Sequence, residues 1–502
     1  MRRALKVSLL VLVAVGFSAA SYASGLKDDP NYLKLKDFKP QGVTTEQCLA
    51  CHNTRDKGIV AGWEHSKHAR AGVGCVACHV VPKNYPTAYK NHPLQGENWD
   101  VQLAVSSITC AKCHPTEVTQ FMNSGHARAA SQWLAGNQDP HGYAMTKLAY
   151  NYEGMRGDNP SLNGHAGMGK GIDPDFKVNQ DNPELAALTV ANTCVQCHGA
   201  VITLNKQGVP NPDIWPSDGM ASLYPDGGVG NCTACHSRHK FSAAEARQPE
   251  ACATCHLGPD HPDKEVFDSS VHGHIFVTNS KDYDFSTGKQ IPGKTLRAAT
   301  CFTCHMSGIN GLKPTHNIST RLYWNIWAPK SFKRDKGVET AGWDWYKNRK
   351  LSRGNPGASN VQGPEAARSE MKQVCATCHE TTFTDNFFAR ADAQITLYNQ
   401  YNTIAAKMLD DLKAKGLIKS DLWADPFFKL YYYSWHHEGR RMRQGAAMGS
   451  ADFAHWHGSF EVMQDIREMK DIYNYRLKLL KKYKDPKMVL ENEVPIPMAP
   501  HN

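Results

Sequence analysis

All sixteen cysteines of this 502-residue sequence fall in a single repeated arrangement. Each belongs to a CxxCH pentapeptide: Cys48, Cys51 and His52; Cys75, Cys78 and His79; Cys110, Cys113 and His114; Cys194, Cys197 and His198; Cys232, Cys235 and His236; Cys252, Cys255 and His256; Cys301, Cys304 and His305; Cys375, Cys378 and His379. Two thiols three residues apart share one face of a helical turn. From there both can form thioethers with the vinyls of one porphyrin, and the adjoining histidine reaches the iron as an axial ligand. Structural zinc sites pair CxxC units differently, and no cysteine remains for a disulfide or a free thiol. Eight covalently bound c-type haems are expected.

The chain holds 24 histidines, so sixteen remain after the attachment set. Three of these recur in one pattern, an aromatic residue followed by Ser at +3 and His at +5: Trp63-Ser66-His68, Phe121-Ser124-His126 and Phe267-Ser270-His272. His68, His126 and His272 are therefore expected as distal iron ligands, with a surface histidine as the plain alternative. His92, His141, His165, His239 and His316 are further distal candidates. His239 follows His236 by three residues in CTACHSRH, too close to reach the far side of the same haem, so a neighbouring haem is its expected target. His436, His437, His455, His457 and His501 read as packing or surface residues.

One stretch stands apart. In CHLGPDHP, residues 255–262, an attachment histidine runs into Asp260 and a second histidine, His261. A histidine can exchange protons near neutral pH, and a neighbouring carboxylate can hold its orientation. The bland reading is a turn, because Pro259, Asp260 and Pro262 are all good turn formers.

These residues need a scaffold, and the sequence describes a lean one. With so few residues per porphyrin, the expected fold is mainly α: short helices and long loops around eight haems, followed by a long-helix C-terminal region. Segments 152–183 and 207–231, rich in Gly, Asn, Asp and Pro, read as loops. After His379 cysteines stop, and apolar residues such as Phe388, Ile395, Leu397, Tyr398, Ile404 and Leu409 recur at helical spacing. Three helices are expected, roughly 383–415, 427–446 and 453–484, with Gly445 and Gly449 as breaks. At the N-terminus, Arg2, Arg3 and Lys6 flank an apolar run from Val7 to Phe17, and Ser21-Tyr22-Ala23 offers a small-residue cleavage site. That run is shorter than the ~20 residues a membrane span requires. The expected organisation is a signal peptide at 1–23, a haem-binding domain at 24–380 and a helical region for subunit packing at 381–502.

Mean hydropathy is −0.52, and no transmembrane segment is expected after the leader. The expected compartment is a periplasm or its extracytoplasmic equivalent, where c-type haem is attached. The formal charge of +9 loses the leader's three cations and is then outweighed by two propionates per haem, reaching about −10 if all ionise. The basic composition is thus no argument for nucleic acid.

Two function classes remain: a conduit of six-coordinate haems, or an enzyme with one open iron position fed by the others. The motifs themselves bear on the choice. The order of the eight CxxCH units, CHLGPDHP after the sixth, RLYWNIWAP after the seventh and GAAM…DFAHWHG in the helical region together resemble the hydroxylamine oxidoreductase family of octahaem cytochromes. The resemblance spans essentially the whole mature chain. Related nitrite-reducing multihaem enzymes often use a CxxCK catalytic haem, and this chain has none. The resemblance implies that the haem on Cys194, Cys197 and His198 is catalytic and lacks a distal protein ligand. It also implies that Asp260 and His261 sit over that iron, with His261 a proton donor rather than a ligand, and that Tyr323 of RLYWNIWAP joins the pocket. A homotrimer is implied as well.

One departure sets the direction of the expected chemistry. Members that oxidise hydroxylamine cross-link a tyrosine of a neighbouring subunit to the catalytic haem, and the matching position here is Phe453, which has no phenolic oxygen. No tyrosine lies between 434 and 472. Members without this tyrosine are linked with nitrite reduction. The favoured expectation is reduction of nitrite to nitric oxide, hydroxylamine or ammonium. The alternatives are hydroxylamine oxidation to nitric oxide or nitrite, and non-catalytic electron transfer. A small cytochrome c or a quinol-linked cytochrome is the expected redox partner.

Overall fold

A computed structural model of the protein describes residues 26–129, 194–200, 202–212, 215–216, 219–259, 261–322, 364–420 and 422–494. The leader, the 152–183 segment, His141, His165, Asp260, Tyr323 and the side chain of Cys194 lie outside the described residues.

Up to His379 the described residues form a succession of short helices and turns. Several CxxCH motifs occupy one helical turn each, as in Cys75–His79, Cys194–His198 and Cys301–His305. The first motif lies within Thr45–Arg55, which a capping box begins. Thr44 Oγ1 accepts from the Gln47 amide, and Gln47 Oε1 accepts from the Thr44 amide at 2.8 Å. The three strands of the only named sheet among the described residues are β1 (Val80–Pro82), β2 (Ala88–Tyr89) and β3 (Trp99–Gln102), antiparallel in the order β1-β3-β2. Val80 pairs with Val101, and Ala88 with Gln102. The sheet clamps the second motif, because buried Gln102 donates Nε2 to the Cys78 carbonyl at 2.7 Å.

Side-chain cores in this part are small, such as Leu35, Val81, Tyr85, Ala88 and Ile108. The space between the helices is instead a branched cavity of about 3060 Å³ lined by attachment cysteines and histidines of all the motifs. It exceeds the ~300–1,000 Å³ of an ordinary small-molecule site several-fold.

The C-terminal part has a side-chain core of its own. Thr381–Ala414 runs for 34 residues, starting where the Glu380 side chain caps it. It buries Thr384, Phe388, Ala391, Ile395, Tyr398, Asn402, Ala405, Leu409 and Leu412, alternating steps of three and four that keep one face inward. Glu461–Tyr483 does the same with Val462, Asp465, Met469, Ile472, Arg476 and Leu479. These faces meet Phe427, Leu430, Leu417 and Val489 in one cluster.

Two details differ from the sequence expectation. The middle and last helices each contain a π-helical turn, Ser434–Glu438 and His455–Phe460. Gly445 does not break its helix. A Cβ there would sit 2.3 Å from the Ala454 amide nitrogen, so the glycine is what lets Gly439–Met448 lie against the Ala451–Ala454 turn. Gly449 does end the helix, at φ +75°. Leu397 and Ile404, counted among the helical apolar residues, are exposed, as are Phe460 and Met463. Among the described residues no helix is long and apolar enough to cross a membrane.

Candidate functional site

The histidines form pairs. Among the described residues, six attachment histidines have a second histidine ring at nearly constant spacing: His52 and His92 at 6.4 Å between centroids, His114 and His68 at 6.2 Å, His79 and His239 at 6.1 Å, His256 and His126 at 6.0 Å, His236 and His316 at 6.5 Å, His379 and His272 at 6.0 Å. Direct ring contact would bring centroids closer. A metal–imidazole bond of about 2.0–2.1 Å on either side, plus the rings' own half-widths, requires about 6 Å. The pairs therefore have room for one metal ion between each two rings.

The attachment rings are also turned for this. His79 Nδ1–H donates to the Gln102 carbonyl at 3.0 Å, and His198 Nδ1–H to the Ala129 carbonyl at 3.0 Å. Nδ1 of His52 lies 2.5 Å from Asp56, and Nδ1 of His256 lies 2.5 Å from Asp263. A carbonyl can only accept, so in those cases Nδ1 carries the proton and Nε2 is left as the metal-facing nitrogen. Burial pushes His126 down to about 3, and His236, His239 and His305 to about 4, which keeps them in the neutral form that ligates. Burial also lowers His256, but the hydrogen bond and charge of Asp263 outweigh it and bring the ring to about 9. A carboxylate in that position makes an imidazole a stronger electron donor to a metal.

The structure also explains the aromatic-Ser-His repeat. In all three copies the aromatic residue lies in the last turn of one helix, and in two of them the serine caps the next. The Ser66, Ser124 and Ser270 amides donate to the Trp63, Phe121 and Phe267 carbonyls at 2.8, 2.8 and 2.9 Å. Ser66 and Ser270 then cap Lys67–Arg70 and Val271–Thr278 by accepting from Ala69 and Gly273 at 2.9 and 3.1 Å. All three serines are buried. The corner sets the position of the histidine two residues on. The capping role was readable from Ser at the head of a short run.

His261 lies in a folded-back loop. Its ring centroid is 6.2 Å from that of His256, and its carbonyl accepts from the Asp263 amide at 2.8 Å. Gly258, at φ +94°, allows the reversal, and its amide donates to Glu265 at 3.2 Å. Two arginines that the sequence reading did not single out hold the neighbourhood. Buried Arg321, two residues before Tyr323, donates to the Cys304 and Ser307 carbonyls at 3.1 and 2.7 Å. Arg441, from the Gly439–Met448 helix, donates to the Pro259 carbonyl at 2.8 Å. Nothing local in sequence marks either arginine as buried.

Eight-way CxxCH spacing, metal-sized histidine pairs and a porphyrin-scale cavity define a multihaem c-type cytochrome with covalently bound haems. Comparison with known proteins agrees. Residues 227–423 match the family described as seven times multi-haem cytochrome CxxCH, residues 180–257 match cytochrome c7 and related cytochrome c, and residues 18–80 and 109–199 match cytochrome c554 and c-prime. The chain is homologous to a probable nitrite reductase-hydroxylamine oxidoreductase fusion protein of Kuenenia stuttgartiensis, 28% identical over 368 residues. That match takes in 67% of this chain and about a third, 34%, of the relative's length. Among solved structures, a hypothetical multihaem protein superposes with a TM-score of 0.63 at 23% identity, over 91% of this chain and 99% of that one. A reducing HAO-like protein complex of Kuenenia stuttgartiensis superposes with a TM-score of 0.58 at 19% identity, over 88% of this chain and 87% of that one. The fold is thus that of HAO-like multihaem cytochromes.

Proposed function

We propose that the protein is an octahaem reductase that converts nitrite to nitric oxide, hydroxylamine or ammonium at an open haem held by Cys194, Cys197 and His198. The observation that carries the direction is Phe453. By the resemblance to the hydroxylamine oxidoreductase family it matches the position of the cross-linking tyrosine, and no tyrosine lies between 434 and 472. Its ring packs on His457 at 5.1 Å and has no oxygen with which to form an ether.

The haems supply the electron relay and one open coordination position for a small nitrogen oxide. The chain's own residues do the rest. The six histidine pairs, His52–His92, His79–His239, His114–His68, His236–His316, His256–His126 and His379–His272, would hold the irons of six haems; their spacing supports this. His261 delivers protons to bound substrate, Asp260 holds its orientation, and Tyr323 orients the nitrogen oxide. Nitrite reduction at each stage consumes protons together with electrons, which is why a titrating group beside the substrate is needed. The exposed apolar side chains Leu397, Ile404, Trp456, Phe460 and Met463 are what a neighbouring subunit of a homotrimer would cover. A low-potential cytochrome serves as electron donor.

The test is nitrite consumption by the purified holoprotein with a low-potential donor, beside hydroxylamine turnover with cytochrome c as acceptor. His261→Ala should remove most nitrite turnover with haem content intact, and equal turnover would sink the proton-donor role. The Kuenenia relative's name joins both activities, so hydroxylamine oxidation stands as the second reading. Faster hydroxylamine than nitrite turnover would select it.

A further inference from the structure

The His261 loop is held from two sides. On the inner side, the Asp263 amide donates to the His261 carbonyl at 2.8 Å. On the outer side, Arg441 Nε donates to the Pro259 carbonyl at 2.8 Å, while its Nη1 donates to Glu461 Oε2 at 3.0 Å. The other oxygen of Glu461 lies 3.6 Å from His457 Nδ1, and His457 Nε2 lies 3.6 Å from Asp452. Exposure rises along this run, from 8% and 14% at Arg441 and Glu461 to 37% and 48% at His457 and Asp452. A second tie joins the same elements, Ser269 Oγ to Ser450 Oγ at 2.7 Å.

The chemistry of the run restricts its role. A guanidinium does not give up its proton in a protein, so the run is no proton wire through Arg441. What a planar fork does well is hold two acceptors at fixed mutual geometry. Here one acceptor is the backbone of the loop and the other is an almost buried carboxylate on a different helix. The bond to the Pro259 carbonyl restrains the backbone two residues before His261.

We propose that Arg441, aimed by Glu461, is a positioning residue for the reaction, setting the His261 loop in the orientation that serves bound substrate. This rests on the reading of His261 as the proton donor at an open haem.

The experiment compares the full-length holoprotein with Arg441→Gln, Arg441→Lys and Glu461→Gln. Three quantities are measured: nitrite turnover with a low-potential donor, spectral titration of the oxidised protein with nitrite, and haem content. Outer-shell partners typically account for 10–100-fold in activity. Arg441→Gln is expected to lose about that factor in kcat, with KM and the spectral Kd within about threefold and haem content unchanged. Arg441→Lys, which keeps the cation but not the planar fork, should recover part of the loss. Glu461→Gln keeps the Pro259 contact but loses the charge that aims the fork, and should lose less than Arg441→Gln. Parent-like kcat in Arg441→Gln would overturn the proposal. So would a joint loss of haem content, nitrite binding and kcat, the pattern of lost packing, if Glu461→Gln were parent-like. A parent protein that neither binds nor reduces nitrite would remove the underlying reading and this inference with it. A parent that does both, with variants indistinguishable from it, removes the inference alone.

Discussion

His239 shows what a single side chain decides. It sits three residues after His236, yet its ring lies 6.1 Å from His79 of another motif. On the proposed pairing with His79, its loss should leave one iron five-coordinate. His239→Ala is expected to keep the full haem content and add one high-spin haem per chain in the electron paramagnetic resonance spectrum; an unchanged low-spin count would refute the pairing. The serine corners act at the same scale. Ser270→Ala removes the cap of Val271–Thr278, and a lost cap costs about 1 kcal/mol. A lower denaturation midpoint, read from the Soret band, would record it, and a parent-like midpoint would assign the corner to the backbone alone.

Elements are joined here by a few buried ions. Arg476, inside Glu461–Tyr483, is fully buried beside Asp425 at 3.0 Å and Glu493 at 2.8 Å, and also donates to the Leu417 carbonyl at 2.8 Å. Burial alone would lower its pKa, but its ion pairs with Glu493 and Asp425 raise it. Arg476→Met would leave two carboxylates buried without their cation, at a cost of about 3–5 kcal/mol. The expected result is a clear drop in the urea midpoint of the C-terminal helices by far-ultraviolet circular dichroism. Asp465 lies on the same helix. Burial, then the neighbouring Glu438, Glu468 and Glu461, push its carboxyl up to about 9 from 3.8. The native state thus keeps a proton that the unfolded chain releases above its ordinary pKa, so this contribution is full at low pH and is lost as pH rises through about 9. Asp465→Asn should flatten the fall in thermal midpoint between about pH 4 and pH 9. A midpoint that falls as steeply in the variant would place the titration elsewhere.

At the scale of the molecule, the haems substitute for a side-chain core over the first three quarters of the chain, while the C-terminal helices have their own. The pyridine haemochrome assay should therefore give eight haems per chain, and fewer would mean that some CxxCH unit is not loaded. A haem-stained denaturing gel should show one monomer band, because Phe453 cannot join subunits covalently. A ladder of dimer and trimer bands would name another tyrosine as the link and favour hydroxylamine oxidation.

Haem attachment was legible in sequence because it is local chemistry: two thiols and an imidazole within five residues, on one helical turn. The helical C-terminal region was legible for the same kind of reason, since Phe388, Ile395, Tyr398 and Leu409 recur at the period of a helix face. That residue 453 is a phenylalanine, with no tyrosine between 434 and 472, is likewise read from sequence alone. Other features depended on long-range geometry. His236 and His316 are brought together across 80 positions, and His79 and His239 across 160. No periodicity links such pairs. Arg441 and Arg476 look like ordinary surface cations until their partners Pro259 and Asp425 are seen to lie elsewhere in the chain. The π-helical turns escaped notice because they keep the helical pattern and change only its local pitch. Residue type and short spacing thus determined which cofactor the chain holds, whereas the packing of distant segments decided which histidine faces which and what steadies the loop at His261, since those contacts exist only once the chain has closed on itself.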